Sequence, residues 1–212
     1  MSLQEKEITY QTSNSYATLN SLTDTTKTVW FVCHGMGYLS RYFLRYFSEL
    51  NPEENYIIAP QAPSKYYIQP KFHVGANWLT KDNTEQGTKN IMAYFDSIFE
   101  AEQIPEDKTF IVLGYSQGVS VAMRYLARRK MVCDQLVIHS GGIPKELTPE
   151  DFSHIKDQTQ VTLIYGTQDE YLNEERIQYE SQRVLELFGD TVSILPFDGK
   201  HVVNVELINQ LV

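Results

Sequence analysis

The sequence has few of the features that mark secreted, membrane-spanning or nucleic-acid-binding proteins. It contains only two cysteines, and Cys33 and Cys133 each lie in an apolar run that is typical of a core rather than of a disulfide. No stretch reaches about 18 consecutive apolar residues, so we expect no membrane span. Lysine and arginine number 18 against 27 acidic residues, and the net charge of −9 argues against a nucleic-acid partner.

Targeting and cofactor motifs are missing as well. The first residues, MSLQEKEITYQTSN, contain neither an apolar signal core nor a basic leader, and we therefore expect a cytoplasmic protein. There is no HExxH pair, no cluster of cysteine and histidine and no glycine-rich phosphate loop, so we predict no metal and no cofactor. Without a repeat or a linker, residues 1–212 are most simply a single domain.

Short apolar runs alternate with longer amphipathic segments, which is typical of an α/β fold. We expect a mostly parallel central sheet with helices on both faces and an antiparallel hairpin formed by residues 7–11 and 16–20. The other predicted strands are 28–35, 55–63, 109–116, 135–141, 161–169 and 191–199. The predicted helices are 40–50, 84–103, 119–129, 174–188 and 202–212.

Ser116 lies at a sharp corner between a predicted strand and a predicted helix. The motif GYSQG, residues 114–118, places glycine two positions before and two positions after the serine. Glycine at these positions permits a tight turn that presents the central hydroxyl at the carboxyl end of the sheet. The motif therefore predicts a nucleophilic serine, and an ordinary turn with a solvated hydroxyl is the alternative.

A serine nucleophile needs a base, and the base needs an acid that orients it. In folds of this type the acid and then the histidine follow the serine along the chain. Asp169 ends a predicted strand and His201 is the one histidine beyond it, so we predict Asp169 as the acid and His201 as the base. The competing candidates are the acids Glu170, Asp190 and Asp198 and the histidines His139 and His154.

Two N–H donors are needed where negative charge develops on a substrate carbonyl. The backbone N–H of Gln117, directly after the serine, is the first predicted donor. The second is expected in the loop after the first central parallel strand, where Gly35 and Gly37 flank Met36 and allow its N–H to turn toward the site. His34 is then a structural residue of this loop.

The stretch 65–78 is rich in aromatic residues and follows a predicted strand, which indicates part of a groove for a small-molecule ester or an acyl chain. Tyr67 and Trp78, together with Tyr171 beyond the predicted acid, are the predicted substrate contacts. Packing of the stretch onto the core is the alternative. The segment 142–160 is too short for a large helical cap, so we expect an open site with little or no cap.

Several motifs together resemble the phospholipase/carboxylesterase family of α/β-hydrolases, the branch that includes the acyl-protein thioesterases. They are HGMG at 34–37, NYIIAPQAP at 55–63, GYSQG at 114–118, HSGGIP at 139–144, YGTQD at 165–169 and FDGKH at 197–201. The resemblance implies an α/β-hydrolase fold in which Ser116, Asp169 and His201 form a catalytic triad. It also implies Met36 and Gln117 as oxyanion donors. The chain departs from the family pattern after Asp169, before His201 and around Trp78.

These motifs predict a serine hydrolase that cleaves carboxylic esters through an acyl-enzyme intermediate. An acyl-protein thioesterase is an alternative, because cleavage of a thioester needs the same groups. A second alternative is a non-catalytic binding protein on a hydrolase scaffold, which the unusual residues after Asp169 would allow.

Overall fold

The computed structural model describes residues 2–155 and 158–212, apart from the side chain of Asp190. The strands in this part of the chain are β1 (Tyr16–Leu19), β2 (Thr28–Cys33), β3 (Asn55–Pro60), β4 (Ser64–Ile68), β5 (His73–Asn77), β6 (Thr109–Tyr115), β7 (Gln135–His139), β8 (Gln160–Gly166) and β9 (Val192–Phe197). The α-helices are α1 (Ser40–Phe43), α2 (Thr84–Glu102), α3 (Gln117–Arg129), α4 (Glu174–Phe188) and α5 (Val205–Asn209). Short 3-10 helices cover Leu44–Phe47, Pro149–Phe152 and Gly189–Thr191.

Seven strands form the central sheet in the order β1-β3-β2-β6-β7-β8-β9. All neighbouring pairs from β3 to β9 are parallel, and β1 pairs antiparallel with β3. Every residue of β2 and β3 is buried, which explains why these strands read as continuous apolar runs without alternation. The predicted α/β fold, with a mostly parallel central sheet, is confirmed.

Helices cover both faces of the sheet and bury two apolar layers. On one face, α2, α3 and α4 contribute Phe95, Leu126 and Val184 to a core with the sheet. On the other face, α1 and α5 contribute Phe43 and Ile208. Parallel strands need crossover connections, and α1, α2, α3 and α4 each lie in one of them while covering the sheet from water. The carboxyl ends of β2, β6, β7 and β8 therefore meet at one edge.

The antiparallel strand at the amino end has a different partner from the predicted one. Residues 7–11 form no strand, and β1 pairs with β3 in a register that runs from Tyr16 opposite Pro60 to Leu19 opposite Ile57. Ile8 and Tyr10 are 89% and 77% exposed, so the apolar side chains of residues 7–11 are not packed against a core. The buried strand β3 offers β1 both a free edge and a core, whereas an isolated hairpin is only marginally stable.

Three further segments differ from their predicted form. The predicted helix 40–50 divides into α1 and a 3-10 helix, and the last helix is limited to Val205–Asn209. The stretch 65–78 contains an unpredicted hairpin, in which β4 pairs with β5. Between β7 and β8, the described residues 140–155 and 158–159 hold only one short 3-10 helix, so no helical cap is built there. Across the described residues, no helix is long and apolar enough to cross a membrane.

Candidate active site

Ser116 occupies a strained turn between β6 and α3. Its backbone has φ 53° and ψ −121°, and its N–H donates to the His139 carbonyl at 2.8 Å. A side chain at Gly114 would overlap the Val119 backbone at the start of α3. One at Gly118 would overlap the Cys33 carbonyl at the end of β2. The two glycines therefore let the turn sit tightly between strand and helix, with the serine at its apex.

The structure brings the three predicted residues of the triad together at the carboxyl edge of the sheet. His201 Nε2 lies 2.9 Å from Ser116 Oγ, and His201 Nδ1 lies 2.7 Å from Asp169 Oδ2. A carboxylate only accepts hydrogen bonds, so Nδ1 carries the ring proton of the neutral imidazole. Nε2 is then left to accept the hydrogen bond from the Ser116 hydroxyl.

Asp169 is held by its own loop and by burial. Its side chain is fully buried, and Oδ1 accepts hydrogen bonds from the backbone N–H groups of Tyr171 at 2.8 Å and Leu172 at 3.1 Å. These bonds fix the carboxylate so that the other oxygen faces the imidazole. Charge-assisted hydrogen bonds of this kind are stronger than neutral ones, and they keep the carboxylate oriented.

The competing acids take other positions. Glu170 is exposed and accepts a long 3.4 Å hydrogen bond from the His201 backbone N–H rather than from the ring. Asp198 is exposed and accepts from the Gln168 side chain at 2.6 Å. The side chain of Asp190 lies outside the described residues. Of the acids whose side chains are described, Asp169 is thus the one that contacts the His201 ring.

The other candidate histidines are occupied elsewhere. His34 is buried, its Nδ1 lies 2.8 Å from the Gly35 carbonyl, and burial lowers its pKa to about 4. His139 is also fully buried, and burial together with the nearby His201 lowers its pKa to about 3. His154 Nε2 lies 3.1 Å from the Met131 carbonyl. His34 and His139 therefore stay neutral, and neither contacts the serine hydroxyl.

The loop 34–37 lies directly beside the serine. A Cβ atom placed on Gly35 would be 3.1 Å from Ser116 Cβ, and Met36, the next residue, is 60% exposed. Among the hydrogen bonds of the described residues, the backbone N–H groups of Met36 and Gln117 have no acceptor. An oxyanion hole requires N–H donors that are not used within the protein, and Met36 and Gln117 meet that condition.

Trp78 lies in the core rather than on the surface of the predicted groove. The residue is 2% exposed, and its indole N–H donates to the His34 carbonyl at 2.7 Å. Its ring packs against His34 at 5.0 Å and against Phe95 at 5.6 Å between centroids. The side chain of Trp78 packs beneath the loop 34–37. This position agrees with the alternative in which the stretch packs onto the core, and not with a substrate contact.

The hairpin of β4 and β5 packs on the same loop, and its two faces have different neighbours. Gly37 N–H donates to the Ala76 carbonyl at 2.8 Å, and a Cβ atom on Gly37 would lie 3.3 Å from Ile68 Cδ1 and 3.8 Å from Tyr66 Oη. Side chains alternate along a strand, so Tyr67 projects from the opposite face of the hairpin, where it is 67% exposed.

Tyr66 and Ile68 are thus side chains near the site that the sequence analysis missed. A signal for them exists in the sequence, because Tyr66, Tyr67 and Ile68 are strand-forming residues that precede a Pro-containing turn. The third predicted contact, Tyr171, is 72% exposed, and its ring lies edge-on to the His201 ring at 4.8 Å between centroids. It forms part of the rim of the site.

The Gln117 side chain fastens the start of α3 to the chain after β5. Its Oε1 accepts from the Trp78 backbone N–H at 2.9 Å, and its Nε2 donates to Asn77 Oδ1 at 2.6 Å and the Leu79 carbonyl at 2.7 Å.

Throughout the described part of the chain, no group of three or more His, Cys, Asp and Glu side chains is arranged to hold a metal ion.

Comparison with known proteins gives a family and a fold. Residues 14–210 match the family model described as phospholipase/carboxylesterase. Comparison with curated protein sequences gave no significant match.

The first of three similar crystal structures is acyl-protein thioesterase 2 of Zea mays, with a TM-score of 0.71 and 17% identity over 94% of this chain and 96% of the other. A phospholipase/carboxylesterase of Dyadobacter fermentans has a TM-score of 0.68 and 21% identity over 95% and 97% of the two chains. SOBER1 of Arabidopsis thaliana has a TM-score of 0.62 and 17% identity over 88% of this chain and 96% of the other. At these identities the likeness establishes the fold.

Proposed function

Because the chain belongs to the phospholipase/carboxylesterase family, we propose that it hydrolyses carboxylic esters through an acyl-enzyme formed on Ser116. The observation that carries the proposal is the continuous hydrogen-bonded path from Ser116 Oγ through His201 to the buried Asp169, with contacts of 2.9 Å and 2.7 Å. Family and fold support an esterase or thioesterase type of α/β-hydrolase, and the path supports the role proposed for each of the three residues in that chemistry.

In the first half of the reaction, Ser116 Oγ attacks the carbonyl carbon of the ester while its proton passes to His201 Nε2. The tetrahedral intermediate collapses when the bond to the leaving alcohol breaks, and Nε2 returns the proton to that oxygen. In the second half, water attacks the acyl carbon while its proton passes to His201 Nε2, the bond between the acyl carbon and Ser116 Oγ breaks, and Nε2 returns the proton to Oγ as the acid is released. A thioester follows the same steps with a thiol as leaving group.

The negative charge of both tetrahedral intermediates falls on the former carbonyl oxygen. The backbone N–H groups of Met36 and Gln117 are the proposed donors to it, because both flank Ser116 and neither is used within the described structure. Removal of one such donor raises the barrier by roughly 3 kcal/mol in other acyl-transfer enzymes. Asp169 stabilises the imidazolium that forms at His201 in each half.

The acyl part of the substrate is proposed to lie along the rim formed by Met36, Tyr66, Ile68 and Tyr171. Met36 and Tyr171 are 60% and 72% exposed, and Ile68 and Tyr66 lie 3.3 Å and 3.8 Å from the place that a Cβ atom on Gly37 would take. Apolar side chains at the mouth of an otherwise polar site favour burial of a short apolar chain over a strongly charged one. Tyr67 and Trp78 are left out of this rim, since one faces away and the other is buried.

The test is hydrolysis of p-nitrophenyl acetate by the purified protein and two serine variants. We expect Ser116→Ala to reduce the rate to the buffer background. Ser97→Ala is the control, since Ser97 is an exposed residue of α2 whose hydroxyl bonds only to the Ala93 carbonyl, and it should retain the wild-type rate. A folded wild-type protein without hydrolysis, or an active Ser116→Ala variant, would overturn the proposal.

A further inference from the structure

The residues that follow β9 carry His201 but have little regular structure of their own. The His201 loop, residues 198–204, connects β9 to α5, a helix of five residues. The ring of His201 must nevertheless meet Ser116 Oγ and Asp169 Oδ2 at once. Asp169 contacts only the ring. The start of the loop is held by Gln168, whose backbone N–H donates to the Gly199 carbonyl at 2.8 Å and whose side chain donates to Asp198, but the His201 N–H has only the long 3.4 Å bond to Glu170, so the backbone from His201 onward needs further anchors.

Two buried side chains at the ends of neighbouring strands supply those anchors. Tyr115, the last residue of β6, donates its hydroxyl to the His201 carbonyl at 3.0 Å. His139, the last residue of β7, accepts the Asn204 backbone N–H on Nε2 at 3.0 Å. Tyr115 is 1% exposed and His139 is fully buried. The two bonds thus hold the loop at the catalytic histidine and three residues beyond it.

The protonation states of the two side chains match these contacts. Burial raises the pKa of Tyr115, so its hydroxyl keeps the proton that it donates. The lowered pKa of His139, about 3, leaves its ring neutral with Nε2 free as an acceptor, while Nδ1 lies 3.0 Å from Ser140 Oγ. No other described group donates to the His201 carbonyl, so loss of the Tyr115 hydroxyl leaves that carbonyl without a partner.

We infer that Tyr115 and His139 are positioning residues that hold the His201 loop in register with Ser116. The backbones of both residues also adjoin the serine turn: Tyr115 precedes Ser116, and the His139 backbone carbonyl accepts the Ser116 N–H at 2.8 Å. The tyrosine ring lies 5.2 Å from the His139 ring and 5.3 Å from the His201 ring between centroids. Each residue therefore ties the serine side of the site to the histidine side, which lie 85 positions apart in the chain.

This inference rests on the proposed role of His201 as the base, and the experiment separates the two. Wild type, Tyr115→Phe and Tyr125→Phe are compared for kcat and KM with p-nitrophenyl acetate and for thermal unfolding. Tyr125 is the matched control, because it is 4% exposed and donates one hydroxyl bond to Asp96 at 3.1 Å, on the opposite face of the sheet.

We expect Tyr115→Phe to lower kcat roughly tenfold with KM unchanged. The phenylalanine ring still fills the space of the tyrosine ring, but the His201 backbone is no longer held in position opposite Ser116. Tyr125→Phe should keep kcat within about twofold of wild type, although both variants lose one partly buried hydroxyl bond and with it some thermal stability. Equal kcat values for the two variants would overturn the inference. An inactive wild type would instead contradict the proposed function.

A pair of substitutions at His139 tests the second anchor. Gln carries an acceptor that can replace Nε2, whereas Met has a similar length and no comparable acceptor. We expect His139→Gln to retain most of the wild-type kcat and His139→Met to lose about tenfold, again without a change in KM. The same kcat in both variants would overturn the role of His139. If His139→Met does not fold, the Tyr115 comparison still decides the inference.

Discussion

The hydrogen bonds of the Gln117 side chain stabilise the serine turn, and their contribution to the free energy of unfolding can be calculated from their number. Its amide makes three hydrogen bonds of 2.6–2.9 Å with Asn77, Trp78 and Leu79. In Gln117→Met a side chain of similar length and helix propensity remains, but all three bonds are lost. A neutral hydrogen bond contributes about 1 kcal/mol net, so we expect the free energy of unfolding to fall by about 3 kcal/mol.

The assay is equilibrium unfolding in urea, followed by far-UV circular dichroism and fitted with a common slope for all variants. Gln182→Met is the matched control, since Gln182 is exposed on α4 and makes one bond to Glu186. We expect that control to lose less than about 0.5 kcal/mol. A loss below about 1 kcal/mol in Gln117→Met would refute the assignment of these three bonds as supports of the turn.

Three further predictions concern the acid, the buried histidine and the rim. Asp169→Asn should lower kcat by a factor on the order of 10⁴, because the amide no longer selects the required tautomer of His201; an activity within tenfold of wild type would contradict this. The pKa of His139 is lowered to about 3 in the folded protein. As the pH falls, this histidine is therefore protonated in the unfolded chain before it is protonated in the folded one. Between pH 7 and pH 5 the free energy of unfolding should fall by about 2 kcal/mol for this reason. His139→Gln should remove that part of the pH dependence in urea titrations, and an unchanged pH dependence would contradict the prediction. Ile68→Ala should lower kcat/KM for p-nitrophenyl octanoate several-fold more than for the acetate, and equal effects on both esters would exclude Ile68 from the acyl site.

The central part of the fold could be predicted from the sequence, because it depends on local patterns. The apolar runs at 28–35, 109–116 and 135–141 predicted strands buried on both faces, and they are β2, β6 and β7. Once those strands are parallel, their carboxyl ends share one edge, so residues that follow them come close together. This is why Ser116 and Asp169 could be placed near one another before their contacts were known.

The parts that the sequence left undetermined depend on contacts between distant residues. The hydroxyl of Tyr115 meets the carbonyl of His201, 86 positions away, and no periodicity signals such a pair. The hairpin of β4 and β5 decides which of its aromatic residues face Gly37, and a one-residue change of register would exchange Tyr66 for Tyr67. The stretch 65–78 predicts Trp78 in the groove because it is rich in aromatic residues and follows a strand, but the indole N–H of Trp78 donates to the carbonyl of the buried His34 instead.

The most direct test of the account is covalent labelling of Ser116. The protein is incubated with a fluorophosphonate, which phosphonylates serines whose hydroxyl is activated by a neighbouring base, and the adduct is located by mass spectrometry of peptides. We predict a single adduct on Ser116 that forms in wild type and is lost in Ser116→Ala and His201→Ala. A folded wild-type protein that forms no adduct, or forms it on another serine, would contradict the claim that Ser116 is the nucleophile.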